Sequence, residues 1–317
     1  MPGTSSPVRV AIVGAGNVGA TFAYALLFRG LAAEIVLIDA NRARAEGEAM
    51  DLNHAEPFTN PTRVWAGDYG DCTGAAITVV SAGAGQKPGE TRLDLVKKNA
   101  DIFAKVIPEI AKRNPGGIIL VATNPVDILT QVSQKLSGLP VNRVIGSGTI
   151  LDTARFRHLL GKHFGVEPRS VHAYIIGEHG DSEVPVWSLA NIAGLRLADY
   201  ADGNGIPHDR VSMDEIFRQT RDAAYQIIER KGATYYAVAA GLMRIVESIL
   251  RDQRTVLSVS SLIKDYYEID GLCFSLPSVV GGNGIERVLR LPLSDEEIAG
   301  LRKSADVLRR NLQTVLS

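Results

Sequence analysis

A chain of 317 residues, 45% apolar and 22% charged, has the composition of an ordinary globular protein with room for two folded units. Its formal net charge of -1 excludes bulk electrostatic attraction to nucleic acid or to an anionic membrane. Two cysteines, Cys72 and Cys273, stand far apart and in no metal-ligand spacing, so a secreted, disulfide-stapled protein is disfavoured and a cytoplasmic one expected.

After the polar start "MPGTSSP", the apolar run 8–13 is too short for a signal-peptide core or a membrane span. It is the first of four near-continuous apolar runs, followed by 34–39, 76–82 and 117–123, the pattern of parallel strands buried on both faces. Helices are predicted between them over 17–29, 41–54 and 91–113. In the last, Leu95, Ile102, Phe103, Val106 and Ile110 recur at roughly helical spacing and Pro108 is expected to kink the helix. Strand and helix in alternation imply an α/β fold with a doubly wound parallel sheet over residues 1–147.

Past Ser147 the alternation stops. A helix over 151–164, a strand-like run into His179, two long helices within 213–251 and strand-like stretches at 255–263 and 285–291 read as a second, mixed α+β unit over 148–317. The helix near 234–251 is expected to pack between the two units. Ser294 and Glu297 stand at capping-box spacing before the last helix.

"VGAGNVGA" sets Gly14, Gly16 and Gly19 as G-x-G-x-x-G between the first strand and the first helix. That position suits a tight turn, a close approach of backbone to a pyrophosphate, and helix–sheet packing, with Asn17 and Val18 opening the helix. Asp39 ends the second strand twenty residues beyond Gly19, where a carboxylate accepts from an adenosine ribose and repels a ribose phosphate. Helix capping is the plainer reading of Asp39, but strand, glycines, helix and acid in register point to a Rossmann-type domain that binds NAD rather than NADP.

Reduction of a carbonyl by hydride needs a proton donor, a group to polarise the carbonyl and an anchor for the substrate. His179, in "IIGEHGDSEVP", is the natural donor because imidazole titrates nearest neutral pH. In "GTILDTARFR", Asp152 and Arg155 share a helical face; one suits orienting the histidine and the other suits clamping a carboxylate through paired hydrogen bonds. A helix cap and a surface ion pair remain open readings from spacing alone. The segment 81–95, with Gly83, Gly85, Gly89 and Pro88 before Thr91 and Arg92, has the make-up of a flap that carries Arg92 over a bound substrate, and a solvated loop is its plain alternative.

With these residues in place, the chain resembles the bacterial NAD-dependent L-lactate dehydrogenases of the lactate and malate dehydrogenase superfamily. The resemblance runs through "VGAGNVG", "LIDAN", "AGAGQKPGETRLDLV", "TNPVD", "GSGTILDTARFR", "GEHGDSE" and "KGATYY", in family order over nearly the whole chain. It implies His179 as acid/base, Asp152 as its orienting carboxylate, Arg155 as the carboxylate clamp, and Arg92 as the carbonyl polariser. It further implies Gly83 at the cofactor, Asn124 beside the nicotinamide, Thr234 near the substrate side chain, no metal, and a homotetramer that regenerates NAD in fermentation.

Gln86 stands where malate dehydrogenases of the superfamily carry an arginine for oxaloacetate's second carboxylate. A neutral side chain there implies pyruvate and L-lactate as the substrate pair, with malate or a broader range of 2-hydroxy acids as the alternative. Arg157 and His172 match the basic pair by which allosteric members bind fructose 1,6-bisphosphate between subunits. Gly85, and the glycine-rich "VVGGNGI" at 279–285, depart from the usual pattern. A non-catalytic nucleotide sensor would have no use for the set Arg92, Asp152, Arg155 and His179, and an NAD-dependent glycoside hydrolase would call for Cys and His metal ligands that are not apparent.

Overall fold

The computed structural model describes residues 7–85 and 92–316, the side chains of 92, 93, 315 and 316 excepted. Six parallel strands form its centre: β1 (Arg9–Val13), β2 (Glu34–Ile38), β3 (Arg63–Ala66), β4 (Ile77–Val80), β5 (Ile118–Val121) and β6 (Val144–Gly146), in the spatial order β3-β2-β1-β4-β5-β6. The crossovers run through α1 (Asn17–Arg29), α2 (Arg42–Ala55), α3 (Arg92–Arg113) and α4 (Val126–Ser137). α3 runs through Pro108 as one helix.

The continuity of the apolar runs follows from the two faces of this sheet. Val10, Ile12, Ile35, Leu37, Ile77 and Val79 point into a core with Phe22 and Leu26 of α1. Their neighbours Ala11, Val13, Val36, Ile38 and Val80 point into another with Phe103 and Ile107 of α3. A strand whose successive side chains feed opposite cores favours apolar residues at nearly every position; Thr78 of β4, 1% exposed, is a polar side chain buried among them.

Beyond β6 the chain forms α5 (Ile150–Phe164), the short strands β7 (Val171–His172), β8 (Ile175–Ile176), β9 (Val184–Pro185), β10 (Asn191–Ile192) and β11 (Leu195–Arg196), and then α6 (Leu197–Asn204), α7 (Arg210–Lys231) and α8 (Tyr236–Leu250). Then β12 (Thr255–Ile263), β13 (Leu272–Gly281) and β14 (Gly284–Val288) add antiparallel to the edge at β6, so one nine-stranded sheet spans both halves of the chain. The join is the pair Ser260–Gly146, at which a Cβ on Gly146 would lie 2.2 Å from Thr130 Oγ1. α8 packs on α1 and contributes Leu242, Ile245 and Val246 to the first core. The last helix, α9 (Asp295–Leu316), starts with the expected capping box: Ser294 N–H donates to Glu297 Oε2 and Glu297 N–H to Ser294 Oγ. Among the described residues no helix is long and apolar enough to cross a membrane.

Candidate active site

The glycine turn after β1 is set by contacts rather than by composition. Gly14 has φ +105°, and a Cβ on it would lie 2.4 Å from Ala82 N; one on Gly19 would lie 1.9 Å from Gly14 O. The middle glycine differs, since a Cβ on Gly16 would meet nothing within 4 Å. Gly16 caps α1 without a side-chain hydrogen bond, and the space beside it leaves room for an anion at the helix N-terminus. Asp39 lies directly after β2: its Oδ2 accepts the Ala15 N–H at 2.7 Å and its Oδ1 the Asn41 N–H at 2.8 Å. The cap of α2 is Asn41, not Asp39. Residues and cradle therefore fit a dinucleotide whose phosphates meet α1 and whose ribose meets Asp39.

The ends of β4 and β5 are fastened to each other by a residue that spacing did not single out. Asn99, 1% exposed on α3, accepts the Ala84 N–H at 2.8 Å and donates to the Asn124 carbonyl at 2.9 Å. Gly83 fits under Thr123, whose Cγ2 would lie 2.4 Å from an added Cβ. Asn124 is exposed at the end of β5, Asn17 is exposed and Val18 half-buried at the head of α1. Gln86 lies outside the described residues, as does the side chain of Arg92, which opens α3. A Cβ on Gly85 would meet nothing within 4 Å among the described residues.

His179 is held by its backbone from three directions. Gly177, at φ +96°, exchanges hydrogen bonds with Ser275 of β13; Glu178 N–H donates to Ser304 Oγ of α9; His179 N–H donates to Asp127 Oδ2 of α4 at 2.7 Å. Asp127, 2% exposed, also accepts from Ser275 Oγ. The start of α5 is tied to the same strand: Ile175 O accepts from Thr149 Oγ1 at 2.6 Å, and Ile175 N–H donates to Thr153 Oγ1 at 3.0 Å.

These ties bring Asp152 to the ring. His179 Nδ1 donates to Asp152 Oδ2 at 2.5 Å, and Arg155 donates to the other oxygen, Oδ1, at 2.9 Å. One buried carboxylate thus fixes both cations, and the spacing had suggested only that Asp152 and Arg155 share a face. The tautomer leaves Nε2 as the ring's reactive nitrogen. The His179 side chain keeps 22% of its surface, against 4% for Asp152 and 13% for Arg155.

Burial opposes the charge on His179, but the Asp152 carboxylate and its hydrogen bond, then Asp127, outweigh it and push the ring up to about 9. Burial would likewise raise Asp152, and the His179 imidazolium, their hydrogen bond and Arg155 together hold it below the ordinary carboxylate range. Burial pushes Asp127 up to about 6 against the hydrogen bonds it accepts. The site is therefore a protonated imidazole and a guanidinium on one ionised carboxylate, an arrangement suited to binding a small anion and giving up a proton.

Thr234 is half-buried in the link between α7 and α8. Arg157 Nε donates to Ala173 O, and its guanidinium lies 4.9 Å from the centre of the Tyr174 ring, while His172 is exposed on β7. Asp127 and Asn99 were the functional side chains the sequence reading passed over. Each is a polar residue on a buried helical face, and Asp127 also closes the stretch "TNPVD".

The chain matches the models of the lactate/malate dehydrogenase NAD binding domain over residues 8–146 and of the lactate/malate dehydrogenase alpha/beta C-terminal domain over residues 149–317. It is 54% identical to the L-lactate dehydrogenase of Acetivibrio thermocellus over 97% of each chain. With the L-lactate dehydrogenase of Moorella thermoacetica it shares 53% identity over 97% of this chain and 98% of that one. Among solved structures, it aligns with the minor L-lactate dehydrogenase of Enterococcus mundtii at a TM-score of 0.95 and 41% identity, covering 98% and 99% of the two chains. The glycine cradle, the His179–Asp152–Arg155 cluster and these matches lead to one conclusion: the chain belongs to the lactate/malate dehydrogenase family.

Proposed function

We propose that the chain is an NAD-dependent L-lactate dehydrogenase, reducing pyruvate to L-lactate with NADH and running the reverse oxidation. The observation that carries this reading is the sharing of Asp152 between His179 and Arg155. Arg155 takes the pyruvate carboxylate through a two-point hydrogen-bonded pair and orients the 2-oxo group towards Nε2 of His179. The bound nicotinamide cofactor supplies the hydride. As charge grows on the carbonyl oxygen, His179 passes its Nε2 proton to it, and Asp152 stabilises the imidazolium until that transfer. Arg92, carried in over the substrate, adds a second positive charge at the oxygen, and Asn124 and Thr234 flank the nicotinamide and the methyl group.

Pyruvate over oxaloacetate rests on Gln86. A second carboxylate buried without a cationic partner costs about 3–5 kcal/mol, or roughly two to four powers of ten. NADH absorbance decay with each acid tests this: pyruvate faster by about a hundredfold is expected, and Gln86→Arg should shift the ratio towards oxaloacetate. Oxaloacetate equal or faster in the parent would overturn the specificity reading, and silence with both acids would overturn the enzyme reading.

We also place the protein in the cytoplasm as a homotetramer serving fermentative NAD regeneration, with an NAD-binding domain over 1–147 and a catalytic domain over 148–317. Arg157 and His172 lie at one seam, since Arg157 bonds the carbonyl of the residue after His172. Brought together with the same pair of a second subunit, they would face a bisphosphate with four cationic groups. Fructose 1,6-bisphosphate should lower the pyruvate KM and Arg157→Gln should abolish the effect. Saturation curves unmoved by the bisphosphate at both about pH 6 and about pH 8 would remove the allosteric assignment.

A further inference from the structure

Glu183 is a carboxyl for which the mechanism above has no use. It stands four residues beyond His179, just before β9, and is 6% exposed. Its Oε1 is sealed from solvent and has no hydrogen-bond partner among the described residues. The groups whose charges act on it are Asp152 and Arg155 of α5, Arg221 of α7 and His179 of its own loop. It also borders a cavity of about 930 Å³. Along that cavity Arg196 pairs with Asp199, Arg210 with Asp214, and Glu297 is taken by Ser188 and Ser294, with His208 and Glu296 completing the charged lining.

An ionised carboxylate in that place would hold a sealed oxygen with no donor among the described residues, near the charge on Asp152. A proton on Glu183 removes the repulsion from Asp152 and lowers the burial cost from that of a charge to that of a neutral hydroxyl. Burial, with Asp152 beside it, pushes Glu183 up to about 9 against the pull of His179, Arg155 and Arg221. Asp152 is already shared between His179 and Arg155, and Asp127, ionised above about 6, is taken by the His179 N–H and Ser275 Oγ, so the free face of the Arg155 guanidinium is left to a substrate with one carboxylate. A second anion behind them would compete with that substrate for Arg155.

We propose that Glu183 is a positioning residue for the 2-oxo acid, a carboxyl that works uncharged and so leaves Arg155 to the substrate. The inference rests on the dehydrogenase reading above and adds to it a residue that decides how the clamp behaves in alkali. Ionisation of Glu183 weakens the binding of pyruvate and of lactate alike, because both use Arg155. A change acting through His179 alone would move the two in opposite directions, since pyruvate needs the protonated ring and lactate the neutral one.

Glu183→Gln keeps the shape and fixes the neutral state. At about pH 7 the variant should match the parent in kcat and in both KM values to within about twofold, and at about pH 10 both KM values should be about tenfold below the parent's. Equal profiles for parent and variant, or KM values that move in opposite directions, would overturn the proposal. A parent inactive with every 2-oxo acid would instead overturn the dehydrogenase reading on which it rests. The infrared band of an un-ionised carboxyl gives a readout besides activity: the parent should show it at about pH 8, where Asp127 is ionised, and lose it by about pH 10. Its absence from the parent at about pH 8 would sink the proposal even if Glu183→Gln fails to fold.

Discussion

His179→Gln should lower turnover with pyruvate by about 10²–10⁴-fold while NADH still binds, as judged by fluorescence titration. Glutamine keeps a hydrogen-bonding group near Asp152 but has no proton to give, so only the transfer step is lost. The parent's own pH profile should agree: pyruvate reduction needs the imidazolium, which Asp152 sustains up to about 9 in the free protein, so the rate should fall above that pH. Stability carries the same signature. The folded value lies above the ordinary 6.5, so the stabilisation from the pair is fully present below 6.5 and lost as pH rises through about 9. The parent's thermal midpoint should therefore fall over that window more than the variant's. Turnover retained in His179→Gln would remove His179 as the acid/base.

The parallel sheet was readable because its long strands feed two cores and are apolar at nearly every buried position. Elements that obey a different rule escaped notice. α4 reads poorly as a helix because Thr130 and Ser133 lower its propensity; in place, their hydroxyls bond the carbonyls of Val126 and Leu129 one turn back. β13 contains Pro277 and two serines, signals against a central strand, yet Pro277 pairs with Ser258 and a bulge between Val279 and Val280 follows. β3 is four residues long, with Arg63 exposed at its start.

The site divides in the same way. Glycine spacing and the acid at Asp39 encode local geometry, so the dinucleotide cradle was legible from the chain. The meeting of Asp152 and His179 was not, because it depends on Thr149 and Thr153 gripping Ile175, a contact 22 or more residues long that leaves no periodic trace. The same holds for Asp127, which reaches His179 across 52 residues, and for Glu183, whose meaning comes from the absence of any donor at its Oε1 among the described residues.

Arg155→Gln tests the shared carboxylate directly. The loss of a buried two-point ion pair with the substrate should cost about 3–5 kcal/mol in kcat/KM, or roughly two to four powers of ten, mostly as a higher pyruvate KM with NADH binding unchanged. Arg155→Lys should recover part of the loss, because it restores the charge without the fork. A second effect separates this from a general loss of shape. Removing Arg155 strips Asp152 of one of its two cationic partners, so the carboxylate acts more strongly on His179 and the ring keeps its proton to higher pH. The alkaline limb of pyruvate reduction should then move upward even as the KM rises. A limb that moves while the KM stays would show that Arg155 only tunes Asp152, and the substrate's carboxylate would need another anchor.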